Sequence, residues 1–259
     1  MSKHRLELMF LDELEAEIAR SGIAYVPCGL MEWHGPQLAV GCDYLRARAL
    51  CERIVAQTGG VVLPPMWVGA AGCAAYQGSI IFSGELVRRL AVELLRELEK
   101  MGFRLAVFVL GHDGHGQFEV FRAAVAEHGE GRTLRGLVLN TPLLDLGPHA
   151  PHAGAWETAE CLAACPEAVD LVRFAAPATR LPKREADPEW YKPGLSEYAQ
   201  RGLERHMSAT TTTWEADLAE RVTPEYGERL LARDAEALAR AVREELSGSC
   251  EPRALSGRW

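Results

Sequence analysis

The chain has 259 residues, 48% of them hydrophobic and 25% charged, with a formal net charge of −8. Such a composition supports a sizeable core in a soluble protein, and the acidic balance excludes non-specific attraction to nucleic acid or anionic membranes, which needs basic patches. No apolar run approaches the roughly 18 residues of a membrane span, and Met1 to Leu8 lack the apolar core of a secretory leader.

Arg5 to Ser21 reads as an amphipathic helix, with Leu6, Met9, Leu11, Leu14 and Ile18 at broadly helical spacing. A strand over Ile23–Val26 ends at Pro27 and Gly29, and beyond it a Gly-rich loop carries Glu32, Trp33 and His34. Asp43 follows, nine residues after His34, at the start of a helical segment over Tyr44–Thr58. It could cap that helix or serve as a ligand there. Val61–Leu63 is a short strand stopped by Pro64 and Pro65, and Gly84–Met101 a helix closed by Gly102. The unbroken apolar run Leu105–Leu110 marks a strand buried on both faces, and it runs straight into Gly111, His112, Asp113, Gly114 and His115. Gln117–Glu127 reads as a helix, Arg135–Leu139 as a strand, and Thr158–Ala164 as a helix stopped by Pro166.

From about residue 179 to 217 the pattern dissolves into polar residues with Pro182, Pro188, Pro193, Trp190, Tyr191 and four consecutive threonines, Thr210–Thr213. This predicts a long irregular excursion, an ordered lid or a subunit contact, within a single domain over residues 1–259. Pro224–Leu246 is a final helix. The alternation of strands and helices predicts an α/β fold of three layers, α/β/α, around a mostly parallel central sheet.

Five of the eight histidines (His34, His112, His115, His149 and His152) fall in three loops that end strands or open helices. Loops at the C-terminal ends of parallel strands are where ligands and metals collect. Glu32, His34 and Asp43 offer the carboxylate and imidazole donors that Zn²⁺, Mn²⁺ or Fe²⁺ prefer. Cys28 and Cys42 flank them and read as small buried hydrophobes. The seven cysteines, Cys28, Cys42, Cys51, Cys73, Cys161, Cys165 and Cys250, are odd in number and scattered. Unpaired thiols fit a reducing, cytoplasmic compartment.

These segments, in order, resemble the creatininase family of metal-dependent amide hydrolases. The likeness runs through Pro27 to Asp43, then Tyr76-Gln77-Gly78-Ser79, then Gly111-His112, then His152 to Ala159 with Pro166-Glu167-Ala168-Val169-Asp170. It implies two divalent ions per chain, zinc or manganese with iron a third candidate. Glu32 and His112 would hold one ion, His34 and Glu157 the other, and Asp43 would bridge them. Water activated there would attack an amide carbonyl. His115 is an alternative loop ligand if the register shifts by three residues. His152 is the expected carrier of the proton to the leaving nitrogen, or else a loop anchor for Glu157. Trp33, Asp113, His115 and Trp156 are placed at the substrate pocket, the tryptophans otherwise serving as packing. His4 and His149 are expected bystanders.

Departures from the family pattern also carry information. Gln37 stands where His is common, and Asp113 and Pro148 stand where creatinine-hydrolysing members place aromatics. The expected substrate is therefore a small or cyclic amide other than creatinine. A formamide or a peptide cofactor precursor is the alternative within the family, and a noncatalytic metal-binding subunit the alternative outside it. The resemblance also implies a homo-oligomer, a hexamer.

Overall fold

Among the described residues, four parallel strands, β1 (Ile23–Cys28), β2 (Val61–Val62), β3 (Leu105–Leu110) and β4 (Arg135–Asn140), pair in the order β2-β1-β3-β4. The structure is a computed structural model that describes residues 3–70, 78–112, 116–129, 131–140, 152–174 and 222–248. The predicted excursion at 179–217 lies outside the described residues, as do Cys73, Asp113, His115, Pro148, His149 and Cys250.

The helices are α1 (Leu11–Arg20), α2 (Cys42–Thr58), α3 (Gly84–Lys100), α4 (Gln117–His128), α5 (Ala155–Ala164), the single turn α6 (Leu171–Phe174) and α7 (Pro224–Ser247). They form two layers because side chains alternate across each strand. Ile23, Tyr25, Leu105, Val107 and Val109 pack against Leu50 and Ile54 of α2 and Leu231, Leu238 and Val242 of α7. Their neighbours Ala24, Val26, Ala106, Phe108 and Leu110 pack on the other side against Val87, Leu95 and Leu98 of α3 and Phe121 of α4.

The order of connection explains which helix lies where. The chain leaves β1 for β2 in one direction, then returns across β1 to β3 and β4 in the other. Right-handed crossovers put helices of opposite direction on opposite faces, so α2 covers one face while α3 and α4 cover the other. The reversal lies between β1 and β3, whose registers run Ile23 against Leu105 to Cys28 against Leu110. A crevice at the C-terminal ends of two such strands is where doubly wound sheets bind ligands.

One predicted element differs. The helix expected over Arg5–Ser21 is a 3-10 turn, Leu6–Leu8, then extended backbone at Met9 and Phe10, then α1. Two contacts decide this. Val62 N–H donates to His4 O at 2.7 Å, tying the chain's start to the sheet edge. Glu13 Oε2 accepts the Phe10 N–H at 2.9 Å, which starts the helix at Leu11. Helix α5 begins three residues before the predicted Thr158, and this carries Glu157 into its first turn. Among the described residues no helix is long and apolar enough to cross a membrane.

Candidate metal centre

Glycine brings the first candidate ligands together. Gly29 and Gly111 follow the ends of β1 and β3, and the first turn of α2 lies against both. A Cβ on Gly29 would run into the backbone of Asp43 and Tyr44, and one on Gly111 would run into the carbonyl of Asp43. Only glycine lets α2 start this close to the sheet. Asp43 does not cap the helix; Gly41 holds the N-cap position, and Asp43 lies in the first turn, where it is buried.

The loop from Gly29 to Gly41 is pinned at several points. Glu32 N–H donates to Val40 O at 2.7 Å, Ile80 N–H to Met31 O at 2.8 Å, and Ala39 N–H to Ala168 O at 2.8 Å. The last contact comes from the 3-10 turn Pro166–Ala168, so the Pro-Glu-Ala-Val-Asp stretch acts as a clamp on the ligand loop. Ser79 Oγ accepts the Trp33 N–H at 3.1 Å from a further loop.

Five buried side chains converge. His34 Nε2 lies 2.9 Å from Asp43 Oδ1 and 3.9 Å from Glu157 Oε1. His112 Nδ1 lies 3.0 Å from Glu32 Oε2 and 3.2 Å from Asp43 Oδ2. Donor atoms of Glu32, Asp43 and His112 all fall within 4.8 Å of one another, and so do those of His34, Asp43 and Glu157. Glu32, His34 and Asp43 are each 1% exposed, a degree of burial that charged groups tolerate only when paired or when coordinating a metal.

The electrostatics point the same way. Burial works against the charge on Glu32, but facing His112 and His152 overcome it and hold the carboxyl down at about 2. Burial likewise opposes ionisation of Asp43, and His34 and His112 outweigh it, keeping its carboxyl well below the usual range. Burial disfavours the charged form of His34, yet Asp43 and Glu157 raise it to about 10. His112 is raised in the same way by Glu32 and Asp43. Three buried carboxylates thus gather positive charge. His34 Nε2 and Asp43 Oδ1, although 2.9 Å apart, do not meet hydrogen-bond geometry. Two buried polar atoms that close without a bond suit a shared cation better than each other. The donor set of carboxylate oxygens and imidazole nitrogens fits a divalent metal.

His152 borders this cluster, half-buried. Its Nε2–H donates to Trp33 O at 2.7 Å, and its ring centroid lies 4.3 Å from that of His34. It does not anchor Glu157; that carboxylate is held by the Ala153 N–H and by Arg46 Nη1. Ala153 reaches Glu157 through a left-handed backbone, φ 59°, steadied by Gln37 Nε2 donating to Ala153 O at 3.0 Å. Trp33 is half-buried beside the cluster. Trp156 is buried, with the Arg46 guanidinium over its ring at 4.3 Å. His4, an expected bystander, bonds Gly60 O at 3.1 Å, far from the centre in the fold. Cys28 and Cys42 are buried thiols, as their reading as hydrophobes requires.

Arg46 and Glu160 are not among the residues singled out from sequence. A signal was present: each stands three residues beyond a candidate ligand, Asp43 and Glu157, on a helix face that is mostly apolar. A charge at such a position on a buried stripe requires a partner.

Residues 7–242 match the family described as Creatininase, creatinine amidohydrolase. The chain belongs to the creatininase family. It is a hydrolase of amide bonds by that membership. Among relatives, the creatinine amidohydrolase of Pseudomonas putida is 26% identical over 64% of this chain and 75% of its own length. The mycofactocin precursor peptide peptidase of Mycolicibacterium smegmatis is 32% identical over 69% of this chain and 72% of its own length. Among solved structures, a Zn-Zn form of a creatininase variant shares the fold, with a TM-score of 0.71 at 22% identity over 95% of this chain and 99% of its own.

Proposed function

We propose that this creatininase-family chain is a metal-dependent amidohydrolase with two divalent ions, zinc or manganese and failing those iron. Glu32 and His112 hold one, His34 and Glu157 the other, and Asp43 belongs to both. One observation carries this reading: the two oxygens of Asp43 face different imidazoles, Oδ1 at 2.9 Å from His34 and Oδ2 at 3.2 Å from His112. When bound, the ions supply Lewis acidity and bring a water's pKa towards neutrality.

The remaining steps belong to side chains. His152 spends its Nε2–H on Trp33 O, which leaves Nδ1 to take a proton from the attacking water and pass it to the leaving nitrogen. The Trp33 carbonyl fixes that tautomer and the ring plane, while Ser79 fixes Trp33.

The substrate class is a small or cyclic amide. A peptide cofactor precursor is the second reading, favoured by the 32% identity to the peptidase against 26% to the creatinine hydrolase. The protein acts as a homo-oligomer in the cytoplasm, a hexamer by family resemblance.

Metal content and activity test the assignment together. The reconstituted protein should hold about two ions per chain. Asp43→Ala should lose at least one, along with all hydrolysis across a panel of cyclic amides, formamides and short peptides. One ion or fewer in the unaltered protein would sink the two-ion reading. Two ions without hydrolysis of any amide would point to the noncatalytic metal-binding subunit.

A further inference from the structure

Beneath Glu157 lies a guanidinium with no exposed surface. Arg46 on α2 is 0% exposed. Its Nε and Nη2 reach Glu160 Oε2 at 2.8 and 2.6 Å, and its Nη1 reaches Glu157 Oε1 at 3.0 Å and Gly111 O at 3.3 Å. Its face lies on the Trp156 ring. One side chain therefore joins three ligand-bearing segments: α2, which carries Asp43; the turn before His112; and α5, which carries Glu157.

We propose that Arg46 is the positioning residue for Glu157, and that Glu160 is there to leave Glu157 its charge. This rests on reading Glu157 as a metal ligand. Both Glu157 oxygens have a donor, Arg46 Nη1 on Oε1 and the Ala153 N–H on Oε2, so the carboxylate cannot rotate away from His34. An arginine alone would make a poor support, because a buried cation against a ligand carboxylate cancels the charge that draws a metal. Glu160 removes that objection. Burial pushes the Glu160 carboxyl up and the Arg46 guanidinium opposes that push; with both carboxylates ionised the trio keeps one negative charge, and the closer contact of Arg46 is to Glu160. Groups that hold a ligand from behind typically contribute 10–100-fold to metal affinity. Arg46 meets the Glu157 carboxylate itself but reaches the His112 segment through the Gly111 carbonyl, so the larger effect should fall on one ion of the two.

A purely structural ion pair would alter stability and leave the two affinities in their original ratio. Two variants separate these roles. Arg46→Met with Glu160→Leu replaces the pair by apolar groups of similar volume, an exchange that buried pairs often tolerate. Glu160→Gln keeps the shape and removes the counter-charge, leaving Arg46 to neutralise Glu157. Zinc titration of each metal-free protein against a chromophoric chelator reads both binding steps. In both variants one of the two steps should weaken 10–100-fold, while the other stays within about threefold. Unchanged affinities, equal loss at both steps, or tighter binding after removal of Arg46 would overturn the proposal. An unaltered chain that binds a single ion would instead overturn the two-ion reading, and this inference with it; two ions in the unaltered chain with unmoved variants would overturn this inference alone.

Discussion

His152 occupies a position where two roles compete, since its donor atoms cluster with those of Glu32 and His34 as well as with the Trp33 carbonyl. If it carries a proton, His152→Ala should keep both ions and lose roughly 10²–10⁴ in turnover. If it is a ligand, the same change should empty part of the centre, which elemental analysis would show at once. The ligands themselves set a pH dependence. His34, raised to about 10, carries a proton at neutral pH in the metal-free protein, and raised His112 does too. Glu32, lowered to about 2, and lowered Asp43 carry none. Metal uptake must expel the imidazole protons. Apparent affinity should therefore rise with pH through neutrality and flatten only as pH approaches the raised histidine values. Calorimetry in buffers of differing ionisation enthalpy should find between one and two protons released per chain; none released would show that the imidazoles stand neutral before metal arrives.

Among the secondary elements, α2 decides the site, because its first turn fits between two strand ends only through Gly29 and Gly111. Gly111→Ala puts a methyl group against the Asp43 carbonyl and Ala47. Overpacking of this kind costs about 1–3 kcal/mol, and here it also shifts a ligand. Denaturant unfolding should show the loss of stability, and metal titration a larger loss than stability alone explains. An Ala variant that binds metal like the parent would mean α2 has slack the structure does not show. Much of this was legible in sequence. Strand ends marked by Pro27, Gly29 and Gly111, and histidines gathered beyond them, are local signals, and Glu32, His34 and Asp43 could be read from them as candidates, whereas His112, with His115 as its alternative, came with the family pattern. Glu157 needed the family pattern, since one acid in a helix start is ordinary. Arg46 and Glu160 were passed over because their meaning is relational: each is explained only by the other, 114 residues away. The broken N-terminal helix was misread for a similar reason, its partner Val62 being remote in the chain.

At the scale of the whole molecule, the helical layers meet around one end of the sheet. Helix α7 packs directly on α2, and it closes this end of the sheet through α5 as well. Helices α5 and α7 cross at Gly227, where a Cβ would collide with the Ala159 carbonyl. The layer that holds Glu157 is thus closed by a helix from the far end of the chain, and Arg46 couples it inward to α2 and the sheet.

The wide spacing of the ligands has a consequence for folding. Glu32 and Glu157 stand 125 residues apart in the chain (157 − 32), yet His34 Nε2 and Glu157 Oε1 lie 3.9 Å apart. An ion seated among them would act as a staple between segments that an unfolded chain keeps far apart, and no equivalent cluster exists until the fold does. Ligand saturation at about 100 times Kd adds roughly 2.7 kcal/mol to stability, which for a chain of this size moves Tm by about 5–10 °C. Heating scans with zinc and then with excess chelator should differ by that margin. An equal Tm in both would mean that the folded chain binds zinc no better than the unfolded one. Should the margin appear, metal supply would govern how long newly made chains survive as well as how fast they turn over amides.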